Sequence, residues 1–269
     1  MKALTLISLS SLIGASFSVV SHAATSFSYT HDWATDDMTG VSTTPASGSI
    51  TYSVNGNGQL AITGSGISYA SFTAETITGQ TGAYFDLTSS ALTVNIQDCV
   101  YAKGGQSSNT SGHLGLYVWG SSTVNRLDLI WHPSIASATG NATASWARVY
   151  GYSSEDNKNI STVGTGAYPL GTQDVVMTVT SDDIIYNFQV SIGGVSVGYY
   201  TANVADVGDL VEVGLRFGTG SGTGSNTSSG LFGDVSVSGE YTVIPEPSTY
   251  ALGAAGLLGA LALIRRRRK

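Results

Sequence analysis

Between residues 24 and 243 apolar and polar residues alternate with a period of two, segment after segment. No stretch of useful length there repeats at the 3.6-residue spacing of a helix. A period of two puts every second side chain on the same face of a strand, so a chain of this kind buries its apolar faces by packing sheet on sheet. Residues 49–54 and 59–63 flank Asn55-Gly56-Asn57-Gly58, which tolerates positive φ, and read as a β-hairpin. Residues 175–180, 184–192 and 195–201 read as a meander turned by Ser181-Asp182-Asp183 and by Gly193-Gly194. Further strands are expected at 67–73, 91–96, 114–119, 126–131, 210–217 and 231–243. A dozen or so such strands predict an all-β domain made of two antiparallel sheets packed as a sandwich. A parallel β-helix would need a short repeat of fixed length, which is missing. The 34 glycines follow no Gly-X-Y period, which excludes collagen. Low charge, 11%, together with 14 tyrosines speaks against a disordered chain.

The two ends differ in kind from this body. Residues 1–23 hold one lysine, Lys2, an apolar stretch from Ala3 to Val20 and the small-residue end Ser21-His22-Ala23. This is the pattern of a secretory signal peptide, and it predicts export through the Sec translocon. Cys99 is the single cysteine, so neither an internal disulfide nor a lipid-bearing cysteine after the cleavage point is available. At the other end Pro245-Glu246-Pro247 precedes an uncharged apolar run, residues 250–264, and then Arg265-Arg266-Arg267-Arg268-Lys269. Fifteen apolar residues fall a little short of the roughly 17 to 25 that span a bilayer, and flanking tyrosine and arginine stems extend the reach. The five cations stay cytoplasmic under the positive-inside bias, which leaves the body on the outer side of the inner membrane. The three expected parts are therefore a signal peptide (1–23), a β-sandwich (24–243) and a sorting segment (244–269).

That last segment resembles the PEP-CTERM sorting signal of Gram-negative bacteria: a Pro-Glu-Pro motif (Pro245, Glu246, Pro247), a transmembrane helix and a basic tail (Arg265, Arg266, Arg267, Arg268, Lys269). The resemblance implies recognition by an exosortase and cleavage near the motif. Pro245 and Pro247 lack a backbone N–H and hold the chain extended, so a processing enzyme would meet an unfolded strand just outside the bilayer.

The body carries five basic residues (Lys103, Arg126, Arg148, Lys158, Arg216) against 17 acidic ones, a formal charge of −12. Without a basic patch it offers nothing to a nucleic acid. Val211-Glu212-Val213-Gly214-Leu215-Arg216-Phe217 and Gly230-Leu231-Phe232-Gly233-Asp234-Val235-Ser236-Val237 resemble the final strands of concanavalin A-like lectin and laminin-G-like jelly rolls. Those domains often close on Phe-Asp-Asp-Val-x-Val, and Gly233 here replaces the first aspartate. The resemblance implies a jelly-roll sandwich.

In the hairpin from His113 to His132, Leu114, Leu116 and Val118 alternate on one strand and Leu127, Leu129 and Trp131 on the next, so these face the core. Matching them pairs Trp119 with Arg126, Tyr117 with Asp128 and His113 with His132 on the opposite face. An aromatic ring beside a carboxylate and a cation can hold a sugar, with the ring on C–H groups and the charges on hydroxyls. The same six residues also fit a surface cation–π pair with ordinary cross-strand packing. Two histidines without a third ligand are too few for zinc. Asp32, Asp36 and Asp37 beside Trp33 are a candidate for structural calcium, or else a solvated acidic turn, since no Asp-x-Asp-x-Asp-Gly loop is present. No other cofactor is implied.

No Gly-x-Ser-x-Gly nucleophile elbow is expected, nor is a Gly-x-Gly-x-x-Gly loop, Walker A lysine or His-Glu-x-x-His helix. The sequence also lacks the Glu-x-Asp-x-Glu run that sandwich glucanases use to set two carboxylates about 5 Å apart. Cys99 reads as a buried thiol, and Asp182-Asp183 and Glu155-Asp156 as solvated turns. These features together predict an exported, non-catalytic lectin-like or structural protein of the cell surface or exopolysaccharide matrix. The competing expectation is a carbohydrate-active enzyme on a concanavalin A-like sandwich.

Overall fold

The computed structural model describes residues 23–102, 112–121, 126–132, 146–151, 159–163, 172–219 and 228–244. The expected signal peptide (1–22 of it), the motif Pro245, Glu246, Pro247, the apolar run and the tail Arg265–Lys269 lie outside the described residues. Within them, every strand pairing is antiparallel, as the alternation predicts.

One sheet runs β12 (Val195–Asn203), β11 (Ile185–Ile192), β10 (Gln173–Ser181), β5 (Leu92–Ala102), β15 (Val235–Val243) and β1 (Thr25–His31). The other runs β2 (Ser42–Val54), β3 (Leu60–Thr73), β13 (Leu210–Thr219), β6 (Gly112–Gly120), β7 (Arg126–His132), β8 (Trp146–Gly151) and β9 (Asn159–Val163). Alternate residues of both layers, including Val94, Ile96, Met177 and Phe188 from the first and Phe72, Leu116, Leu215 and Phe217 from the second, meet in one buried cluster. The molecule is thus a two-layer antiparallel sandwich of the jelly-roll kind.

The layers are stitched at two places. β14 (Ser228–Phe232) bridges the end of β5 to the start of β3, and β4 (Ala83–Asp86) bridges β15 to β13. β3 serves β14 with residues 60–64 and β13 with residues 67–73, so it must turn between partners. Gly64 and Gly66 sit at that switch with φ of 146° and 121°, and a Cβ on Gly64 would lie 2.0 Å from the Ser49 carbonyl oxygen. Only glycine permits that approach. Among the described residues three one-turn helices fill corners: α1 (Trp33–Asp36), α2 (Ala74–Thr78) and α3 (Val204–Val207). At four or five residues each they are too short to leave a helical period in the sequence.

The segment expected as a single closing strand, 231–243, is two. β14 and β15 are separated at Gly233-Asp234, where both strands lie along β5 opposite Gln97. The Gly233 N–H donates to the Gln97 carbonyl (2.8 Å), and the Gln97 N–H donates to the Asp234 carbonyl (3.0 Å). The interruption is therefore hydrogen-bonded across and functions as a bulge, not a loop.

Candidate functional site

The β6–β7 ladder has the expected register: Trp119 faces Arg126, Tyr117 faces Asp128, and Leu114, Leu116 and Val118 face Trp131, Leu129 and Leu127. Leu114, Leu116 and Val118 are buried in the core. The ladder stops at Leu114 and Trp131, one pair short of His113 and His132, which pair on the other edges of their strands with Gly218 of β13 and Trp146 of β8. The side chains of His113, Arg126, Asp128 and His132 fall outside those described.

The expectation of an open polar-aromatic face needs correction at Tyr117, whose exposure is 1%. Its cover comes from strands remote in sequence. Tyr117 pairs with Gly214 across β13, and a Cβ on Gly214 would stand 2.4 Å from the tyrosine Cζ, so the ring lies in the space that a side chain would fill. The Tyr117 hydroxyl donates to Glu212 Oε1 at 2.8 Å. Tyr69 of β3 meets the ring edge-on with centroids 5.4 Å apart, and the Arg216 guanidinium lies 5.6 Å from the Tyr69 ring centre. Arg216 is itself only 5% exposed, an arginine stacked and buried on the outer face of a sheet. Trp119, half-buried, meets Tyr117 at 6.2 Å and 75°. Its indole is thus braced from below, with one part left at the surface. Rigid aromatic support of this kind suits a stacking platform, because little side-chain freedom remains to be lost on binding.

Asp32, Asp36 and Asp37 form a capped turn. Asp32 caps α1, accepting from the Ala34 N–H (2.8 Å), and Asp36 Oδ2 accepts from the Asp32 N–H (3.0 Å). Asp37, at φ 49°, accepts from the N–H and hydroxyl of Thr39 at 3.0 and 3.1 Å. Each carboxylate faces the donors of its own turn, and among the described residues no group of three or more His, Cys, Asp or Glu is placed to hold a metal. The neighbouring His31 is buried, with Nε2 donating to the Asp37 carbonyl (2.9 Å) and Nδ1 3.1 Å from the Tyr29 hydroxyl.

Burial first, then the carboxylates of Asp174 and Asp98, push the Cys99 thiol well above its ordinary range, which removes it as a nucleophile. Asp182 Oδ1 accepts from the N–H groups of Ile184 (3.1 Å) and Ile185 (2.7 Å), the turn role expected of it. Gly194-Val195-Ser196-Val197-Gly198 matches the Gly-x-Ser-x-Gly string of a nucleophile elbow. It lies at the start of β12 in a hairpin with β11, whereas an elbow needs a strand-to-helix turn, so the match is a coincidence of composition.

Residues 243–269 match the family model described as the PEP-CTERM protein-sorting motif, so the chain carries that sorting signal, the mark of an exported, membrane-anchored precursor. No curated protein matches the chain. Among solved structures, basic winged bean lectin with Tn-antigen is similar at 10% identity over 82% of this chain and 100% of that one, with a TM-score of 0.48. Arcelin-5, a lectin-like defense protein from Phaseolus vulgaris, is similar at 14% identity over 82% and 99%, with a TM-score of 0.46. The Emp47p carbohydrate recognition domain is similar at 10% identity over 76% and 89%, with a TM-score of 0.43. Likeness at this level concerns the course of the chain and says nothing of a ligand.

Proposed function

We propose that this is a non-catalytic, lectin-like protein of the cell surface or exopolysaccharide matrix. It is exported by the Sec translocon, held in the inner membrane by residues 250–264 and released by an exosortase near Pro245-Glu246-Pro247. The sorting motif over residues 243–269 carries the delivery half of this reading. It begins where the last strand ends, at Val243, so removal of the tail leaves every strand of the sandwich in place.

The binding half rests on Trp119, held against the buried Tyr117 and in register with Arg126. A polysaccharide chain would lie across the indole, with the Arg126 strand beside it. Retention of the exported form on polysaccharide columns, with released reducing sugar scored in parallel, tests this. Binding without turnover is expected. Trp119→Ala should abolish retention. The aromatic contact with Tyr117 is worth about 0.5–1.5 kcal/mol, so the melting temperature should fall by only a few degrees. Undiminished retention, or sugar release lost together with binding, would contradict the reading.

A further inference from the structure

A cavity of about 170 Å³ opens between β4, the β10–β11 turn, β11 and the α3–β13 connection. Its polar walls are fixed in advance. Asp86 accepts from the Thr242 hydroxyl (2.5 Å) and from the hydroxyl (2.6 Å) and N–H (3.0 Å) of Thr88. Asp209 is pinned through its backbone: its N–H donates to Ser121 Oγ (3.1 Å) and its carbonyl accepts from the Ser121 N–H (2.7 Å). The Tyr186 hydroxyl donates to the Gly208 carbonyl at 2.9 Å.

The charge inside is one-sided. Asp86, Asp183 and Asp209 line the cavity with no lysine, arginine or histidine among the lining residues. Burial and then the Asp86 carboxylate push the Asp209 carboxyl upward, and burial with Asp209 and Tyr84 pushes Tyr186 up to about 12. A compact metal ion does not fit this arrangement, because no group of three or more ligating side chains among the described residues is placed for one. A cation whose charge sits on a larger body does. Tyr84 and the largely buried Tyr186 line it with aromatic carbon for C–H and cation–π contact, and Thr88 and Ser181 supply hydroxyls. The volume is below the roughly 300–1,000 Å³ of clefts for drug-sized ligands, and suits a single ring.

We propose that this cavity binds one unacetylated amino-sugar unit, its ammonium against Asp209 and Asp86 and its ring against Tyr84 and Tyr186. This deepens the polysaccharide reading by naming a sugar class, and it places that sugar at a second position, independent of Trp119.

The test is calorimetric titration of the full chain in detergent with the dimer of glucosamine, its N-acetylated form, cellobiose and cadaverine. The glucosamine dimer should bind at one site, with the acetylated dimer and cellobiose at least tenfold weaker. Cadaverine binding as tightly as the amino sugar would overturn the sugar assignment. Asp209→Asn should weaken the glucosamine dimer at least tenfold without lowering the melting temperature, since it removes repulsion with Asp86. Asp37→Asn, the same charge change on the far-off capped turn, should leave binding intact. Equal loss in both variants, or in neither, would overturn the proposal. Should Asp209→Asn fail to fold, Asp86→Asn carries the same test, because an amide can still bond the Thr242 and Thr88 hydroxyls. Trp119→Ala should keep amino-sugar binding while losing polysaccharide retention, so either reading can fail alone.

Discussion

Trp33 and Gly233 lie 200 positions apart, and the indole Nε1–H donates to the Gly233 carbonyl at 2.7 Å in the core. Trp33 is fully buried, so this one contact ties the first segment of the body to the bulge between the last two strands. Gly233 also explains why the closing strands depart from the Phe-Asp-Asp-Val pattern they resemble: a Cβ there would lie 2.7 Å from the Gln97 carbonyl oxygen. Gly233→Ala should cost about 1–3 kcal/mol through overpacking against backbone, and Gly233→Asp, the family-like residue, at least as much. For a body of this size each kcal/mol lowers the melting temperature by about 2–4 °C, which a thermal melt reads directly. Asp86 gives a pH signature. Burial alone raises its pKa, but the hydrogen bonds from Thr242 and Thr88 outweigh that and hold it below 3.8. A lowered carboxylate stabilises the fold above its unfolded value, and that contribution is lost as pH falls through the folded value. The stability advantage over Asp86→Asn should thus be complete above about pH 4 and fade at more acidic pH, as melts across the acid range would record.

At the scale of elements, hairpins were legible and isolated short pieces were not. β2–β3 and the β10–β11–β12 meander follow from apolar alternation around Asn55-Gly56-Asn57-Gly58, Ser181-Asp182-Asp183 and Gly193-Gly194, all signals local in sequence. β4, four residues long, and the short β9 carry too few residues to establish a period, and β1 and β8 lack a turn signal that pairs them with a neighbour. The register of β6 against β7 was readable because two apolar faces had to match. What covers Tyr117 was not, because Tyr69, Glu212, Gly214 and Arg216 come from β3 and β13, and nothing local marks strands that far apart in the chain as neighbours. The acidic residues beside Trp33 were visible as a cluster, while their capping roles depend on a one-turn helix with no periodic signature. Gly214→Ala should displace the Tyr117 ring and break its bond to Glu212, with a loss of about 1–3 kcal/mol. Tyr117→Phe, which keeps the ring, should lose less than this in the same melts.

Over the whole molecule, the two ends of the sandwich emerge together. β1 begins with Thr25 opposite Tyr241 of β15, and the Ile244 N–H donates to the Gly82 carbonyl at 2.9 Å. The expected signal-peptide junction at residue 23 and the start of the sorting motif at residue 243 therefore lie at neighbouring strand ends, and among the described residues the buried core lies between them. Cutting after Ile244 should leave the melting temperature unchanged, whereas cutting after Glu240 removes the pairing of Tyr241, Thr242 and Val243 with β4 and should lower it. The delivery claim is met most directly by intact mass spectrometry of the protein recovered from cells and medium of its native source. The expected product begins at Ala24, ends close to Pro245 and is found outside the cytoplasm. Recovery of the entire 269-residue chain from the cytosol, with neither end removed, would contradict it.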